Sequence, residues 1–314
     1  MTGDGPVLPP AGNHGGDGGR IASALGLDCR EVVDLSASLN PFAPDVTELA
    51  REVLGRAGSA VLESYPDSAV AEEQMAVAIG VDPARLVLTN GAAEAIALVA
   101  AVTVEGQVVE PEFSLYRRHL PVVREGSPRW RSNPSNPQGR LAGAGEEAGV
   151  WDEAFFPLAT GRWTRGDDHS WRIGSLTKLW TCPGLRLGYV IAPTVADAAR
   201  IRVAQPAWAV NGLALALVSE LLPRTDLEGW HRSLGTLRAS FVDGLCAEGI
   251  KVTPTDSNWV LVELAEARAR LAPSGVIVRD CSSFGLPGIH RVAVPRPKDL
   301  DRVLSAFAGL GAQA

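Results

Sequence analysis

The sequence predicts an α/β fold in which a large domain with a mostly parallel sheet, sandwiched by helices, is joined to a smaller α+β domain. Apolar strands alternate with helical stretches over residues 85–222, a pattern typical of a parallel sheet covered on both faces. After about Asp226 the pattern changes to one long helix, several short strands and a closing helix. A chain of 314 residues has room for about two domains.

The domain boundaries follow from this change of pattern. We expect residues 45–222 to form the large domain, and residues 1–44 together with 223–314 to form the small one. In the first half, apolar spacing predicts helices over 45–54 and 69–79. Residues 85–89 form a strand of the buried type, and Gly91 is the turn before an alanine-rich helix. The further strands predicted for the large domain are residues 107–109, 129–132, 149–152, 171–174 and 186–191.

Composition narrows the possible functions. The net charge of −7 argues against nucleic acid as a partner and gives no support for anionic membranes. The four cysteines form no CxxC pair and no two histidines have ligand spacing, so we expect neither a metal site nor a disulfide framework. We see no signal peptide, and the most apolar stretches are about half the length that spans a bilayer. A cytoplasmic enzyme fits these observations.

Lys178 is the most informative single residue, because the chain has only three lysines among its 29 basic residues. It lies in Ser175-Leu176-Thr177-Lys178, a turn rich in hydroxyl groups. A lysine can lose its proton and act as a nucleophile that forms a Schiff base, whereas an arginine stays charged. On its own, Lys178 is also consistent with an ordinary surface lysine.

An anion site is outlined by the strand that ends at Thr89, the turn at Gly91 and the helix from Ala92. A helix N-terminus offers unpaired N–H groups, and small residues let a phosphate approach closely. Ser175, Thr177 and Arg186 could add hydroxyl groups and a guanidinium. Because strand–Gly–helix units are common in α/β proteins, this pattern is weak evidence alone.

Two further motifs place polar groups where ligands bind in an open α/β sheet. Residues 133–139 contain two Asn-Pro steps before a glycine, a rigid turn that could direct the Asn136 amide at a ligand. Asp152 follows a buried strand in Trp151-Asp152-Glu153, where a carboxylate needs a partner such as a protonated ring nitrogen. A proline-rich loop and an ordinary acid at a strand end are the simpler alternatives.

In chain order, these motifs resemble those of the fold-type I pyridoxal-phosphate (PLP) dependent transferases. The resemblance implies pyridoxal 5'-phosphate as the cofactor, held as a Schiff base on Lys178, with Asp152 keeping the ring nitrogen protonated so that the ring withdraws electrons. Asn136 would bond to the ring hydroxyl oxygen and Phe113 would stack on the ring. The residues implied to bind the cofactor are Tyr65, Gly91, Ala92, Ala93, Phe113, Asn136, Asp152, Ser175, Thr177, Lys178 and Arg186. Tyr65 matches a tyrosine that reaches the partner subunit's phosphate in relatives, which implies a homodimer.

Within this superfamily the chain most resembles the threonine-phosphate decarboxylases of cobalamin biosynthesis, near relatives of the histidinol-phosphate aminotransferases. The resemblance lies in residues 14–17 with 34–41, and in 278–284 with 290–294. Phe155 agrees with it, because the aminotransferases usually have a tyrosine there. It implies decarboxylation of O-phospho-L-threonine, a small phosphorylated amino acid, with a class I/II aminotransferase or a non-catalytic protein of this fold as alternatives. The residues it implies for substrate binding are His14, Asn40, Arg279 and Arg291.

The chain is short for this family between residues 114 and 150. Only 22 residues separate Phe113 from Asn136, and 15 separate Asn136 from Asp152. Relatives place helices in these gaps, so we expect covering helices to be missing from one face of the large domain. Ala93 also stands where relatives often have a polar side chain, which removes about one hydrogen bond, on the order of 1 kcal/mol.

Overall fold

The structure, a computed structural model, describes residues 8–58 and 60–310. These residues fall into two compact units. The large unit contains residues 42–136 and 140–231, with residue 59 outside the description. The small unit contains residues 8–41, 137–139 and 232–310. Each unit has its own sheet.

The strands are short, as is usual for an α/β protein of this size. They are β1 (Val33–Asp34), β2 (Leu86–Thr89), β3 (Glu105–Val108), β4 (Val122–Val123), β5 (Arg129–Ser132), β6 (Val150–Asp152), β7 (Trp171–Ser175), β8 (Gly188–Ile191), β9 (Lys251–Thr253), β10 (Trp259–Glu263), β11 (Val276–Ile277), β12 (Arg279–Asp280) and β13 (Ile289–Ala293).

The helices range from single turns to a long helix in the second half of the chain. They are α1 (Gly18–Leu25), α2 (Val46–Ala57), α3 (Ala60–Glu63), α4 (Ala69–Ile79), α5 (Gly91–Thr103), α6 (Leu115–His119), α7 (Phe156–Thr160), α8 (Leu176–Leu179), α9 (Val195–Ala204), α10 (Gly212–Leu221), α11 (Leu227–Ala247), α12 (Ala267–Leu271) and α13 (Leu300–Phe307). None of the helices within the described residues is long and apolar enough to cross a bilayer.

The large unit is built on a seven-stranded sheet with the order β2-β8-β7-β6-β5-β3-β4. Strand β8 runs antiparallel to both of its neighbours, and the other pairs are parallel. Helices α5 and α9 pack with it around buried Ile96, Val99 and Ile201. The predicted α/β class with a mostly parallel sheet is confirmed.

Local sequence explains where several helices start. Asp45 caps α2 because its carboxylate accepts hydrogen bonds from the backbone N–H groups of Thr47 and Glu48. Asn211 caps α10 in the same way through Ala214. Helix α5 begins at Gly91, whose φ of +78° lies in the left-handed region that favours glycine. The chain can therefore turn sharply from β2 into α5 at this point.

Loops rather than helices join the strands in the middle of the large unit. Residues 120–155, all of which the structure describes, contain no helix. One face of β6 is instead covered by the loop of residues 161–170: the Arg165 guanidinium lies 4.7 Å from the Trp151 ring centroid, and the Trp151 indole N–H donates to Asp167. Arg165 also donates to the carbonyl oxygens of Gly143, Ala144 and Glu146. A guanidinium stacked on an aromatic ring can bury apolar surface while its edge stays hydrogen bonded.

The small unit has an antiparallel sheet with the order β12-β13-β10-β9 and a parallel pair formed by β1 and β11. Its N-terminal loop lies directly on the segment that follows β1. The Gly16 N–H donates to Ser36 Oγ, and the Gly18 N–H donates to Asp34. A Cβ atom at Gly15 would collide with the Ser36 carbonyl. This contact explains why glycine follows His14.

Candidate active site

Polar residues from four strands meet at one edge of the large sheet. Thr89, Ser132, Asp152 and Ser175 are the last residues of β2, β5, β6 and β7, and these strands run in the same direction. The antiparallel β8 begins at this edge with Gly188, which pairs with both Thr89 and Ser175. The carboxyl ends of parallel strands are where an open α/β sheet binds its ligands.

The start of α5 and Arg186 form a cradle that fits a phosphate. The Arg186 guanidinium lies over Gly91, so closely that a Cβ atom there would be 2.5 Å from Nη2. A Cβ atom at Gly188 would be 2.6 Å from the Ala92 backbone nitrogen. Within the described residues, the Arg186 guanidinium has no ion pair or hydrogen bond of its own. A cation beside a helix N-terminus suits a phosphate dianion.

The turn that carries Lys178 is fixed by Thr177. The Thr177 hydroxyl donates to the Leu187 carbonyl and accepts from the Leu187 N–H, both at 3.1 Å. It therefore ties α8 to the segment of Arg186, and the one proton that the hydroxyl can donate is used within the chain. The Ser175 hydroxyl has no hydrogen bond within the described residues. Lys178 is half-buried, with its Nζ 5.9 Å from the Phe155 ring centroid.

Asp152 is held by two hydrogen bonds. The buried Tyr116 phenol donates to Oδ2 at 2.8 Å, and the Ala154 N–H donates to Oδ1 at 3.0 Å. Burial raises the pKa of Asp152, although these two bonds favour the charged form. A protonated ring nitrogen beside this carboxyl would supply the missing opposite charge. No local sequence pattern indicates Tyr116 as a partner of Asp152, because the contact spans 36 residues.

The predicted ring-stacking residue and the Asn-Pro loop meet near Asp152. The Phe113 ring packs edge-on against Tyr116, with 6.0 Å between the ring centroids. Asn136 is buried, and its backbone N–H donates to Ser132 Oγ at 2.8 Å. Ser132 pairs directly with Asp152 across β5 and β6. The structure thus brings Phe113, Asn136 and Asp152 into one cluster.

Tyr65 has a different environment. It lies on the surface of the large unit with 78% of its side chain exposed. Its ring stacks on Trp208, with 4.3 Å between the centroids. Val70, which lines the same surface groove as Tyr65, is also exposed. Further exposed apolar side chains of α3 and α4 are Leu62 and Val77.

In the small unit, two of the predicted substrate-binding residues are neighbours. Arg279 on β12 pairs with Arg291 on β13, and both are buried. Burial lowers the pKa of Arg279 and lowers that of Arg291 to about 10. The Arg279 guanidinium donates only to neutral oxygens: the backbone carbonyls of Gly12 and Asp280, and the Ser283 hydroxyl. Two neighbouring buried guanidinium groups favour a bound anion.

The N-terminal segment is tied to both arginines. Arg279 donates to the Gly12 carbonyl, two residues before His14, and Arg291 donates to the Ser36 carbonyl. His14 itself is exposed. Asn40 is buried. The two residues before it, Ser38 and Leu39, are held in place because their carbonyls accept hydrogen bonds from the Asn258 side-chain amide. His14, Arg279 and Arg291 therefore belong to one region of the small unit.

Glu153, next to Asp152, gives a pH-dependent prediction. Burial raises its pKa to about 7 from an ordinary value of 4.5. The folded protein keeps this proton at a pH where the unfolded chain has released it, so the contribution to stability is full below pH 4.5 and is lost as the pH rises towards 7. Between these two pKa values, this group lowers the free energy of unfolding by about 1.4 kcal/mol per pH unit.

We therefore expect the free energy of unfolding of the cofactor-free wild type to fall more steeply between pH 5 and 7 than that of the cofactor-free Glu153→Gln variant. Urea unfolding of both proteins at pH 5, 6 and 7 measures the difference. The lowered pKa of His290 acts in the opposite direction, but it acts equally in both proteins and cancels in the comparison. Equal slopes in the two proteins would contradict the assignment.

Comparison with known proteins identifies the family. The model of the aminotransferase class I and II family matches residues 149–307, which is half of the chain. The chain belongs to this family. This match includes Asp152, Lys178 and Arg186. No group of three or more possible metal ligands occurs in the part of the chain that the structure describes.

Two curated members of this family are similar over almost their whole length. The threonine-phosphate decarboxylase of Salmonella typhimurium is 29% identical, with 94% of this chain and 95% of that protein aligned. Histidinol-phosphate aminotransferase 2 of Pseudomonas aeruginosa is also 29% identical, with 91% of each chain aligned. The first alignment runs over 355 residues, more than the 314 of this chain, so that relative contains segments that are absent here.

Solved structures confirm the fold. The histidinol-phosphate aminotransferase of Sinorhizobium meliloti, solved in complex with pyridoxal-5'-phosphate, has a TM-score of 0.79 at 15% identity, covering 98% of this chain and 96% of that one. The L-threonine-O-3-phosphate decarboxylase of Porphyromonas gingivalis has a TM-score of 0.75 at 21% identity, covering 88% and 98%. Members of the aminotransferase class I and II family depend on pyridoxal phosphate, and this chain is an enzyme of that family. The predicted cofactor is therefore confirmed.

Proposed function

We propose that this family member decarboxylates O-phospho-L-threonine to (R)-1-aminopropan-2-yl phosphate and CO2, a cytoplasmic step of cobalamin biosynthesis. The observation that carries the choice is Phe155, whose ring lies beside the Lys178 amine. Transamination moves a proton from Cα to another carbon, and a phenol hydroxyl at this position would serve as a partner in that transfer. Loss of CO2 breaks a carbon–carbon bond instead and needs one proton delivered afterwards.

The paired arginines support the same substrate. O-Phospho-L-threonine has a carboxylate and a phosphate, and guanidinium groups bind both in a bidentate manner. Arg279 and Arg291 lie side by side in the small unit, with His14 and Asn40 as further candidate contacts. Histidinol phosphate has a phosphate but no carboxylate. A pair of anion-binding residues therefore fits the amino acid. Since the aminotransferase would also bind 2-oxoglutarate, which has two carboxylates, the choice between the two activities depends on Phe155 and not on the arginines.

The residues of the large unit have the following proposed roles. When bound, pyridoxal phosphate supplies a ring that accepts the electron pair left at Cα. Lys178 would hold the cofactor covalently and return a proton to Cα, and Asp152 would keep a proton on the ring nitrogen. The remaining contacts would come from Asn136 to the ring hydroxyl oxygen, from Phe113 by stacking, and from Gly91, Ala92, Ala93, Ser175, Thr177 and Arg186 at the phosphate.

Thr177 would contribute at the phosphate differently from its neighbours. Its hydroxyl is bonded to Leu187, so we propose that it orients the turn and that its backbone, rather than its hydroxyl, faces the phosphate. Ser175 retains a hydroxyl without a partner in the described residues, which suits a direct bond.

We also propose that the enzyme is a homodimer in which Tyr65 reaches the cofactor phosphate of the partner subunit. The exposed ring of Tyr65, its stacking on Trp208 and the exposed apolar side chains around it support this role. Val70, in the same surface groove as Tyr65, is 65% exposed, and Leu62 on α3 is 68% exposed. Large apolar side chains grouped on a surface are typical of protein interfaces.

A histidinol-phosphate aminotransferase is the second candidate, because the Pseudomonas aeruginosa relative is as similar as the decarboxylase. A non-catalytic protein of the same fold is the third. Purified holoenzyme incubated with O-phospho-L-threonine separates them. We expect release of CO2 without any keto acid.

If the protein is an aminotransferase, we expect instead a reaction of histidinol phosphate that depends on 2-oxoglutarate. A colourless protein that takes up no cofactor would favour the non-catalytic alternative. The matched variant is Phe155→Tyr, which adds a hydroxyl beside Lys178. We expect it to raise transamination relative to CO2 release. Wild-type enzyme that transaminates and releases no CO2 would contradict the proposed function.

A further inference from the structure

A second buried carboxyl lies behind the cofactor site. Glu112 precedes Phe113 directly and is 5% exposed. Its Oε2 accepts from the Ser132 hydroxyl at 2.5 Å and from the Phe113 N–H at 3.3 Å, while Oε1 accepts from the Ser132 N–H at 3.1 Å. Glu112 thus bonds to the end of β5 and to the residue that is proposed to stack on the cofactor ring.

Ser132 transmits this contact to the Asn-Pro loop. Its hydroxyl donates to Glu112 and accepts the backbone N–H of Asn136 at 2.8 Å. Ser132 is also paired with Asp152 across β5 and β6, and the Tyr116 phenol donates to Asp152. One buried network therefore connects Glu112 with Asn136 on one side and with Asp152 on the other.

We propose that Glu112 is a positioning residue of the cofactor site: through Ser132 and the Phe113 backbone it fixes Asn136, Phe113 and the Tyr116–Asp152 pair. This inference rests on the cofactor contacts proposed for Phe113, Asn136 and Asp152, and not on the choice between decarboxylation and transamination. It assigns a role to an acid that no sequence motif indicated.

The protonation of Glu112 selects between two arrangements of the network. When Glu112 is ionised, the Ser132 hydroxyl must donate to it. When Glu112 is protonated, its own O–H can donate to Ser132 Oγ, and the Ser132 proton is then released to bond to another acceptor. Burial raises the pKa of Glu112 to about 8, so both arrangements are accessible in solution.

Other charged groups face this carboxyl. Asp152 raises the pKa of Glu112 by repulsion, and Tyr116 lies in the same cluster. The positively charged Arg131, beside Ser132 on β5, interacts electrostatically with the Glu112 carboxyl. The Glu110 carboxylate accepts a hydrogen bond from the Glu112 backbone N–H. The cofactor site should therefore respond to the ionisation of Glu112 through Asp152.

The test measures binding of pyridoxal phosphate to cofactor-free protein, without substrate, by quenching of tryptophan fluorescence from pH 6 to 9.5. We expect Glu112→Ala to bind about tenfold more weakly at pH 7, the loss typical of a residue that orients a ligand-binding group. We expect Glu112→Gln to bind within about threefold of wild type at pH 7, because its amide oxygen can accept from the Ser132 N–H and its NH2 group can donate to Ser132 Oγ, as the protonated acid does. Only the 3.3 Å bond from the Phe113 N–H is lost. The wild-type affinity should change in a step of about threefold or more near pH 8 that Glu112→Gln lacks.

Two further variants complete the test. Ser132→Ala should weaken binding as Glu112→Ala does, and the double variant should be no weaker than either, because the two residues act in series. Glu105→Gln removes a half-buried acid on β3, which pairs with Arg124 and not with Ser132 or Phe113, and it should bind like wild type. Thermal unfolding of each cofactor-free variant separates loss of fold from loss of positioning.

A Glu112→Ala protein that folds and binds the cofactor as tightly as wild type would overturn the inference, as would a pH step that persists in Glu112→Gln. If Glu112→Ala does not fold, Ser132→Ala and the pH step decide. Binding that follows the expected pattern in an enzyme that releases no CO2 would overturn the proposed function alone. A wild-type protein that binds no pyridoxal phosphate would overturn both.

Discussion

Replacing Lys178 with arginine will lower turnover by about 10⁴-fold or more, the size of loss seen when a nucleophile is removed. Arginine keeps the length and the positive charge of the side chain, but its guanidinium does not release a proton near neutral pH. It can therefore neither hold the cofactor covalently nor return a proton to Cα. The measurement is turnover of the reaction that the wild type performs, at saturating substrate and cofactor.

The chain provides a matched control, because its only other lysines are Lys251 and Lys298. Both are exposed, and Lys251 pairs with Glu263 on the neighbouring strand. Lys251→Arg and Lys298→Arg should keep wild-type turnover, since an exposed ion pair contributes little. A Lys178→Arg enzyme with more than about 1% of wild-type turnover would contradict the assigned role.

The second large effect is expected for Asp152→Asn, which should lower turnover by about 10³-fold while the cofactor still binds. Asparagine preserves the shape of the side chain. Its Oδ1 can still accept from the Ala154 N–H, and its Nδ2 can donate to the Tyr116 phenol oxygen. It has no negative charge, however, and therefore cannot keep a proton on the ring nitrogen. The measurement compares turnover and cofactor affinity in the same preparation.

Tyr116→Phe provides the graded control for this prediction. It removes the hydrogen bond to Oδ2 and leaves the charge of Asp152, so we expect a loss of about tenfold, close to the value of one bond to a charged group. Equal losses for Asp152→Asn and Tyr116→Phe would show that geometry, rather than charge, is what Asp152 supplies. Full turnover of Asp152→Asn would exclude the proposed role.

Short motifs were the part of the site that sequence could predict. Lys178, Asp152 and Arg186 each lie in a segment of a few residues whose order along the chain carries the resemblance, and the family match includes all three. The cradle at Gly91 was also predictable, because a glycine between a strand and a helix marks a turn with positive φ. Local chemistry and spacing were therefore sufficient to select these residues as candidates, and their roles stay predictions.

Long-range contacts were the part that sequence could not predict. Tyr116 and Glu112 form hydrogen bonds with Asp152 and Ser132, which are 36 and 20 residues further along the chain, and no local pattern marks such pairs. Thr177 was expected to bind phosphate through its hydroxyl, which in the structure is bonded to Leu187. The direction of β8 was also hidden, since a fully buried strand has the same apolar pattern in either direction.

The central claim is that the Lys178 amine forms the covalent bond to pyridoxal phosphate. Reduction of the holoenzyme with borohydride makes this bond permanent, and digestion followed by mass spectrometry locates it. We predict a single phosphopyridoxyl group on the peptide that contains Lys178, together with loss of the yellow absorbance band. A label on Lys251 or Lys298, or no label on a protein that had bound the cofactor, would contradict the account.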